Sequence, residues 1–167
     1  MVLAPDQALI GLGANLGDAV GAVHSAAQAL GHLPKTRLLA CSPLYRSAPW
    51  QAEGPDFINA VAWLQTGLQP LELLDALQAL ELQHGRERPY PNAPRTLDLD
   101  VLMMGELQMH TPRLTLPHPR MHLRAFVLRP LQDLLPDLCI PGLEPTGAVG
   151  AWVSSTSDQS VAPWPLT

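Results

Sequence analysis

Two aspartates separated by one residue give the clearest indication of chemistry in this sequence. Asp98 and Asp100 lie in the stretch Arg-Thr-Leu-Asp-Leu-Asp-Val, residues 95–101. On a β-strand they point to the same face, since successive side chains alternate, and their apolar neighbours then point into a core. Mg²⁺ is usually held by one or two carboxylates together with substrate phosphates. The pattern predicts either a magnesium site or the polar outer face of an edge strand, and D-x-D alone fits both.

The arginines around this pair favour a site for metal and phosphate. The chain has 167 residues and a net charge of −5, yet seven of its ten basic residues lie between positions 86 and 129, and all seven are arginine. The planar guanidinium group matches phosphate oxygens in a bidentate geometry. We therefore predict a site for a small polyphosphate with a divalent cation. The acidic balance argues against general nucleic-acid binding.

The N-terminal pattern predicts a strand, a glycine-rich turn and a helix. Residues 7–17 begin as an apolar strand, and three glycines spaced G-x-G-x-x-x-G are predicted to form its exit turn. The spacing differs by one residue from the dinucleotide-binding fingerprint, so we favour a structural turn. Asp18 is predicted to cap a helix that runs to about Leu30.

Two further strands and a second helix are predicted over residues 36–48, 57–66 and from Pro70 to Gly85. In the strand 57–66, alternate residues share a face, and Asn59 is the polar exception on an apolar strand. This amide is either satisfied by neighbouring groups in the core or presents a donor and an acceptor to a ligand. The helix is predicted to bury one leucine stripe: Leu71, Leu74, Leu77, Leu80 and Leu82.

The region 112–131 combines prolines, histidines and arginines. His118 and His122 are four residues apart, but the glutamate of an H-E-x-x-H zinc motif is absent. Pro119 is predicted to open a helix, which would place His118 and Arg120 near a helix N-terminus, where phosphate binds well. The apolar residues that follow make Phe126 a candidate core residue as well as a candidate ligand contact.

The remaining patterns predict the limits of the domain. Gly105 and Glu106 are predicted to turn the chain into a return strand over 107–109. We predict one domain over 1–167, with a core of about 7–140 and an irregular tail over 141–167. Cys41 and Cys139 are predicted to be small core or near-core residues. Deletion of the residues after Ser154 should then cost little stability.

Composition restricts the class of protein. Hydrophobic residues make up 47% of the chain, which is typical of a globular protein. No apolar run approaches the roughly 20 residues that a membrane-spanning helix needs. The N-terminus has no basic stretch followed by an apolar one, so no secretory signal is predicted. We expect a cytoplasmic monomer without membrane or nucleic-acid partners.

Six stretches together resemble the 6-hydroxymethyl-7,8-dihydropterin pyrophosphokinase family of folate biosynthesis. The resemblance covers about residues 7–140, and the fifth and sixth stretches are highly specific. The six are Ile-Gly-Leu-Gly-Ala-Asn-Leu-Gly (10–17), Ser-Pro-Leu-Tyr-Arg-Ser (42–47), Phe-Ile-Asn-Ala-Val (57–61), Glu-Leu-Gln-His-Gly-Arg (81–86), Ala-Pro-Arg-Thr-Leu-Asp-Leu-Asp (93–100) and Leu-Pro-His-Pro-Arg-Met-His-Leu-Arg-Ala-Phe-Val-Leu (116–128).

The resemblance implies an α+β fold of the ferredoxin-like type, an antiparallel sheet with helices packed on it. The implied reaction transfers pyrophosphate from ATP to the pterin hydroxymethyl group and releases AMP. On this basis Asp98 and Asp100 hold two Mg²⁺ ions, and Arg86 and Arg95 stabilise charge on the transferring group. Positioning and electrostatics account for most of the catalysis of such a transfer, and no covalent step on the protein is needed.

The resemblance also implies which residues bind the two substrates. Asn59 would recognise the edge of the pterin, and Phe57 and Phe126 would enclose its ring, with the backbone of Ser47, Ala48 and Trp50 alongside. The residues implied near ATP are Gln78, Glu81, Arg86, Arg95, Val101, Arg113, Thr115, His118 and Arg124. Two alternatives stay open: a ferredoxin-like binding module, for instance for RNA, and a phosphotransferase that acts on another pteridine.

Overall fold

A computed structural model describes residues 1–49, 54–84, 97–143 and 148–165. The predictions for Trp50, Gly85, Arg86 and Arg95 lie outside these described residues. The elements, in chain order, are β1 (Gln7–Ala14), α1 (Ala19–Leu30), β2 (Thr36–Cys41), β3 (Leu44–Ser47), β4 (Phe57–Thr66), α2 (Pro70–His84), β5 (Asp98–Met104), β6 (Met109–His110), β7 (Thr115–Leu116), a 3-10 turn (Met121–Leu123), α3 (Ala125–Leu134), α4 (Val149–Ser155) and β8 (Val161–Trp164).

The centre of the fold is an antiparallel sheet. Within the described ranges its strand order is β5-β1-β4-β3-β8, and β2 also pairs with β4. The register places Gly13 of β1 opposite Asn59 of β4 on one side and opposite Asp98 of β5 on the other. The predicted α+β fold with an antiparallel sheet and packed helices is confirmed.

Helices pack on both faces of the sheet, because β4 is apolar on both of its faces. Ile58 and Leu64 join a core beneath α1 and α2, whereas Val61 and Trp63 join a second core with α3 and α4. This division follows the predicted alternation along β4. Among the described helices, none is both long and apolar enough to cross a bilayer.

The first helix follows its sequence signals and the second follows them in part. The side chain of Asp18 accepts a hydrogen bond from the backbone N–H of Gly21 at 3.0 Å, which is the predicted N-cap. In α2 the buried leucines are Leu73, Leu77 and Leu80. The predicted stripe was wrong at Leu71 and Leu82, which are 37% and 62% exposed. A helix turns by 100° per residue, so these two positions point away from the buried face.

The predicted strand 36–48 is divided in two at Pro43. Pro43 has no N–H to donate to the sheet, and the neighbouring Ser42 restores the connection to β4. The N–H of Ser42 donates to the carbonyl of Val61 at 2.9 Å, and the Ser42 hydroxyl accepts from the N–H of Val61 at 2.9 Å. The interruption separates β2 from β3, both of which run antiparallel to β4, and β3 also pairs with β8.

Two predictions for the region 105–131 were wrong. The return strand after Gly105 pairs with β7 and not with β5, because the N–H of His118 donates to the carbonyl of Leu102 at 2.8 Å and occupies that edge. Pro119 does not open the helix. A 3-10 turn intervenes, and α3 begins only at Ala125 after Arg124 has taken an extended conformation.

The prediction of an irregular tail was wrong for residues 148–165. Helix α4 buries Val149, and β8 pairs with β3 from Leu44 opposite Trp164 to Ser47 opposite Val161. These elements are only seven and four residues long, which is too short for a periodic pattern to identify them. Cys41 also differs from its prediction, since it is exposed, whereas Cys139 is half-buried.

Removal of residues 156–167 should therefore lower the melting temperature. The deletion takes away the pairing of β8 with β3 and the buried Thr156. We expect a decrease of about 5 to 10 °C, which corresponds to the loss of a few kcal/mol for a chain of this length. Thermal unfolding followed by circular dichroism measures it, with Ser157→Ala as a control at an exposed site in the same segment. An unchanged melting temperature would show that β8 contributes little to stability.

Candidate active site

The two aspartates share one face of β5, as predicted. Asp98 is half-buried and Asp100 is exposed, while Leu99 and Val101 are 4% and 3% exposed and lie in the opposite core. Two residues along a strand place the Cα atoms of the aspartates about 7 Å apart. Both carboxylates therefore project to the face of the sheet on which α3 packs.

A glutamate on α2 holds the strand between them. The Oε2 atom of Glu81 accepts a hydrogen bond from the backbone N–H of Leu99 at 2.9 Å. Because Leu99 separates the two aspartates, this bond fixes the part of β5 that presents them. The structure thus gives Glu81 a positioning contact, and its nucleotide contact stays a prediction.

His118 and Arg124 belong to the electrostatic environment of Asp100. Burial lowers the pKa of His118, the Asp100 carboxylate raises it in part, and Arg124 and Arg120 lower it further. Its Nδ1 atom accepts from the backbone N–H of Arg120 at 3.1 Å, so the neutral ring carries its proton on Nε2. Burial likewise lowers the pKa of Arg124, and Asp100 opposes this change. The Asp100 carboxylate therefore interacts electrostatically with the His118 imidazole and the Arg124 guanidinium beside β5.

The aspartates suit a hard divalent cation. Among the residues that the structure describes, no three or more His, Cys, Asp or Glu side chains are grouped so as to hold a metal ion. Two carboxylates on one face of a strand are ligands of the type that Mg²⁺ takes, with phosphate oxygens and water completing its coordination. Zinc sites normally use three or four protein ligands. The donor set therefore fits magnesium.

Asn59 is buried two strands away from Asp98. It is 3% exposed, and its Nδ2 atom donates to the Ser47 hydroxyl at 2.7 Å. The sequence left open a core amide satisfied by neighbouring groups, and Ser47 is such a partner. Because that bond uses one amide hydrogen, the second hydrogen and the carbonyl oxygen have further bonding capacity. Ser47 thereby fixes the orientation of the amide.

Gly13 separates the aspartate from the asparagine. A Cβ atom at this position would lie 3.3 Å from Oδ1 of Asn59 and 3.9 Å from the Phe57 ring. Adjacent strands are about 4.8 Å apart, so the strands of Asp98 and Asn59 are about 10 Å apart with a bare backbone between them. Gly13 thus forms an open floor between the two polar groups.

The prediction that places the three glycines in a turn was wrong for two of them. Gly11 and Gly13 lie inside β1, and only Gly17, with φ of +59°, is in the turn that follows. The available signal was the alternation G-x-G within an apolar strand, since alternate glycines leave one face of a strand without side chains.

A cleft lies beside Ser47, the hydrogen-bond partner of Asn59, on the side of α3. Its volume is about 300 Å³, and Ser47, Ala48 and Phe126 line it together with residues 158–161. The Arg124 guanidinium lies over the Phe126 ring at 5.5 Å from its centroid. Phe57, which is half-buried, lies directly opposite Ser47 in the sheet. The structure thus brings four of the predicted pterin residues to one edge around Asn59.

The predicted nucleotide residues are only partly brought together. Arg113 donates to Asp75 at 2.6 Å and to Gln78 at 3.3 Å on the outer face of α2. Thr115 is half-buried in β7. The Val101 side chain points into the core beneath α1 and α2, so only its backbone is available to a ligand. Arg113 and Gln78 form one group, and His118 and Arg124 form another near Asp100.

Solved structures with the same fold identify the architecture. A crystal structure of an HPPK-DHPS protein in complex with substrates superposes with a TM-score of 0.72 at 13% identity and covers 93% of this chain. A crystal structure of HPPK-DHPS from Plasmodium falciparum gives a TM-score of 0.68 at 13% identity over 89% of the chain. The chain spans 44% and 40% of the lengths of these two proteins. At this level of identity the similarity establishes the fold.

Sequence comparisons give the family. The model of the 7,8-dihydro-6-hydroxymethylpterin-pyrophosphokinase family matches residues 9–136. A 2-amino-4-hydroxy-6-hydroxymethyldihydropteridine pyrophosphokinase from Pseudomonas aeruginosa is 53% identical over 133 residues, 79% of this chain and 82% of its own. The enzyme of the same name from Haemophilus influenzae is 44% identical over 135 residues, 80% of this chain and 84% of its own.

The chain therefore belongs to the 7,8-dihydro-6-hydroxymethylpterin-pyrophosphokinase family. It is an enzyme of the pyrophosphokinase class, a transferase that uses ATP, with a role in folate biosynthesis. The binding module considered from the sequence is thereby set aside as an alternative.

Proposed function

We propose that this enzyme transfers the terminal pyrophosphate of ATP to the hydroxymethyl group of 6-hydroxymethyl-7,8-dihydropterin and releases AMP. The observation that carries the proposal is the row across the sheet from Asp98 through Gly13 to Asn59. The strands of Asp98 and Asn59 are about 10 Å apart in this row, which supports a site where carboxylates bind metal and phosphate while a buried amide binds a heterocycle on the same face of the sheet. The names of the relatives from Pseudomonas aeruginosa and Haemophilus influenzae support the choice of pterin.

Asp98 and Asp100 would hold two Mg²⁺ ions in this proposal. When bound, the ions would neutralise charge on the triphosphate and lower the pKa of the acceptor hydroxyl. Arg124 and His118, which both interact electrostatically with Asp100, would contact phosphate oxygens. Arg86 and Arg95, outside the described residues, would stabilise charge on the transferring group. The protein's part in the chemistry is then positioning and electrostatic stabilisation.

The acceptor would bind at the edge formed by Asn59. The amide recognises the polar edge of the pterin, while Phe57 and Phe126 cover the faces of its ring, and Ser47, Ala48 and Trp50 contribute backbone. A flat heterocycle needs aromatic faces and a fixed amide, and the bond between Asn59 and Ser47 supplies the fixed orientation. Such a site discriminates strongly against analogues that leave its buried polar groups unpaired.

ATP would bind along β5 and the exposed end of α2. Its residues in this proposal are Gln78, Glu81, Arg86, Arg95, the backbone of Val101, Arg113, Thr115, His118 and Arg124. The contacts of Arg113 with Gln78 and Asp75 support a preformed polar group there. Cytoplasmic location, the monomeric state and the absence of a nucleic-acid partner remain predictions of the sequence.

Identification of the nucleotide product tests the proposal. The purified enzyme is incubated with ATP and Mg²⁺, with and without the dihydropterin, and AMP is separated from ADP by chromatography. We expect AMP to form only with the pterin present. ADP would mean transfer of a single phosphoryl group, and the absence of turnover by folded protein would point to a different acceptor.

Replacement of Gly13 with alanine should weaken the acceptor site selectively. The added Cβ would lie 3.3 Å from Oδ1 of Asn59, so the amide must move away from the orientation that Ser47 fixes. We expect the KM for the dihydropterin to rise about tenfold, since one displaced hydrogen bond corresponds to about 1 kcal/mol or more. Steady-state kinetics with each substrate varied in turn measures this effect.

A second glycine provides the matched control. In Gly67→Ala the added Cβ makes only ordinary contacts with Lys35, at 3.4 Å and beyond, and Gly67 follows the far end of β4. Its KM values should match those of the unmodified enzyme. If Gly13→Ala behaved like this control, Gly13 would not form the floor of the acceptor site.

A further inference from the structure

We propose that Gln159 is a positioning residue for the acceptor site, which it serves by holding the first turn of α3 and with it the ring of Phe126. The proposal rests on the proposed function, because it takes the cleft beside Ser47 to be the pterin site. Gln159 lies 33 residues further along the chain than Phe126, in the segment between α4 and β8.

The side chain of Gln159 forms two hydrogen bonds to the backbone on either side of Arg124. Its Oε1 atom accepts from the N–H of Ala125 at 2.8 Å, and its Nε2 atom donates to the carbonyl of Leu123 at 2.8 Å. The first N–H groups of a helix have no partner within the helix, and no side chain at the N-cap position, Arg124, supplies one. Gln159 therefore acts as the cap of α3 from a distant part of the chain.

The bonded peptides immediately precede the aromatic ring. Phe126 follows Ala125, so the direction of its Cα–Cβ bond depends on the backbone that Gln159 holds. The same segment also contacts the opposite wall of the cleft, because the carbonyl of Ser160 accepts from the N–H of Ala48 at 3.3 Å. Residues 158–161 thus connect the two walls and line the cleft between them.

The other end of α3 is held independently of Gln159. The Tyr45 hydroxyl donates to Asp133, and the Arg129 guanidinium lies 5.5 Å from the centroid of the Tyr45 ring. Burial, together with Asp133, raises the pKa of Tyr45 to about 12, so the donor remains protonated at neutral pH. Loss of Gln159 should consequently free the first turn of α3 while the helix itself stays packed.

This arrangement predicts a selective kinetic effect. In Gln159→Ala both hydrogen bonds are lost, and we expect the KM for the dihydropterin to rise about tenfold and the KM for ATP to rise by a smaller factor, because Arg124, a proposed phosphate contact, lies between the two bonded peptides. In Gln159→Glu one acceptor oxygen can still bind Ala125 N–H, so the rise should be smaller. Ser157→Ala, at an exposed site two residues earlier in the same segment, serves as the matched control with unchanged kinetics.

The experiment measures AMP formation by the full chain with each substrate varied, and melting temperatures are recorded for all variants. A dihydropterin KM in Gln159→Ala equal to that of the unmodified enzyme, or an equal rise in both KM values, would overturn the role of Gln159. If Gln159→Ala does not fold, the same comparison of KM values in Gln159→Glu decides.

Failure of the proposed function gives a different result. If the unmodified enzyme forms no AMP with the dihydropterin, the proposed function fails and the role of Gln159 in acceptor binding fails with it. If the unmodified enzyme forms AMP and the two Gln159 variants behave like Ser157→Ala, only the role of Gln159 is excluded.

Discussion

Alanine at Asp98 or Asp100 abolishes pyrophosphoryl transfer without unfolding the protein, if this pair holds the metal. Each variant loses one of two carboxylates that face the same side of β5, and we expect turnover to fall by at least about 10³-fold, because stabilisation of transition-state charge is lost. The melting temperature should change little, since Asp98 is only half-buried and Asp100 is exposed. AMP formation and thermal unfolding are measured on the same preparations.

Two comparisons make this result specific. Asp6→Asn removes a carboxylate at the opposite end of β1, where it accepts from Gln65 at 2.8 Å, and it should keep full activity. Asp100→Asn should lower the pKa of His118 further, because Asp100 is the group that raises it, and an NMR titration of the metal-free protein measures this shift. Near-full turnover by either alanine variant would falsify the metal assignment.

Replacement of Asn59 with alanine should weaken the binding of the dihydropterin far more than the binding of ATP. The amide is 3% exposed and bonded to Ser47, so its removal takes away the groups that would pair with the pterin edge. We expect binding of the dihydropterin to weaken by about 100-fold, because buried polar groups of the ligand are left unpaired. The affinity for ATP should change little. Calorimetric titration of each substrate into the variant gives both values.

Ser47→Ala is the natural companion of this variant. It leaves the amide in place and removes the hydroxyl that orients it, so its effect on pterin binding should have the same sign and a smaller size. Equal losses of pterin and ATP affinity in Asn59→Ala would instead indicate general damage to the sheet. In that case the amide would be a structural core residue.

The parts of the site that the sequence predicted are those determined by local patterns. Asp98 and Asp100 could be placed on one face because strand alternation extends over neighbouring residues only. Asn59 was recognisable as a polar exception within an apolar strand, and Asp18 as a helix cap. In each case the physical cause lies within a few positions of the residue itself.

The parts that were missed depend on distant segments. Gln159 caps a helix that begins 34 residues before it, and no local pattern reports such a contact. The strand β8 has four residues and contains Pro163, which reads as a loop in isolation and is tolerated at the edge of a sheet. Gly13 was assigned to a turn because its role depends on the residues that lie opposite it on two neighbouring strands. Only the strand register shows which residues those are.

The row from Asp98 through Gly13 to Asn59 has a consequence for substrate selection by length. The separation of the backbones that carry the two polar groups is set by two spacings of paired strands, about 10 Å in total, and side-chain rotation does not alter this backbone spacing. A pteridine whose hydroxyl-bearing arm is one carbon longer would carry its oxygen past the transferring group while its ring stays on Asn59. The spacing of the hydrogen-bonded strands would then determine the discrimination between such homologues. Substitutions that change only the polarity of the site would leave this discrimination unchanged.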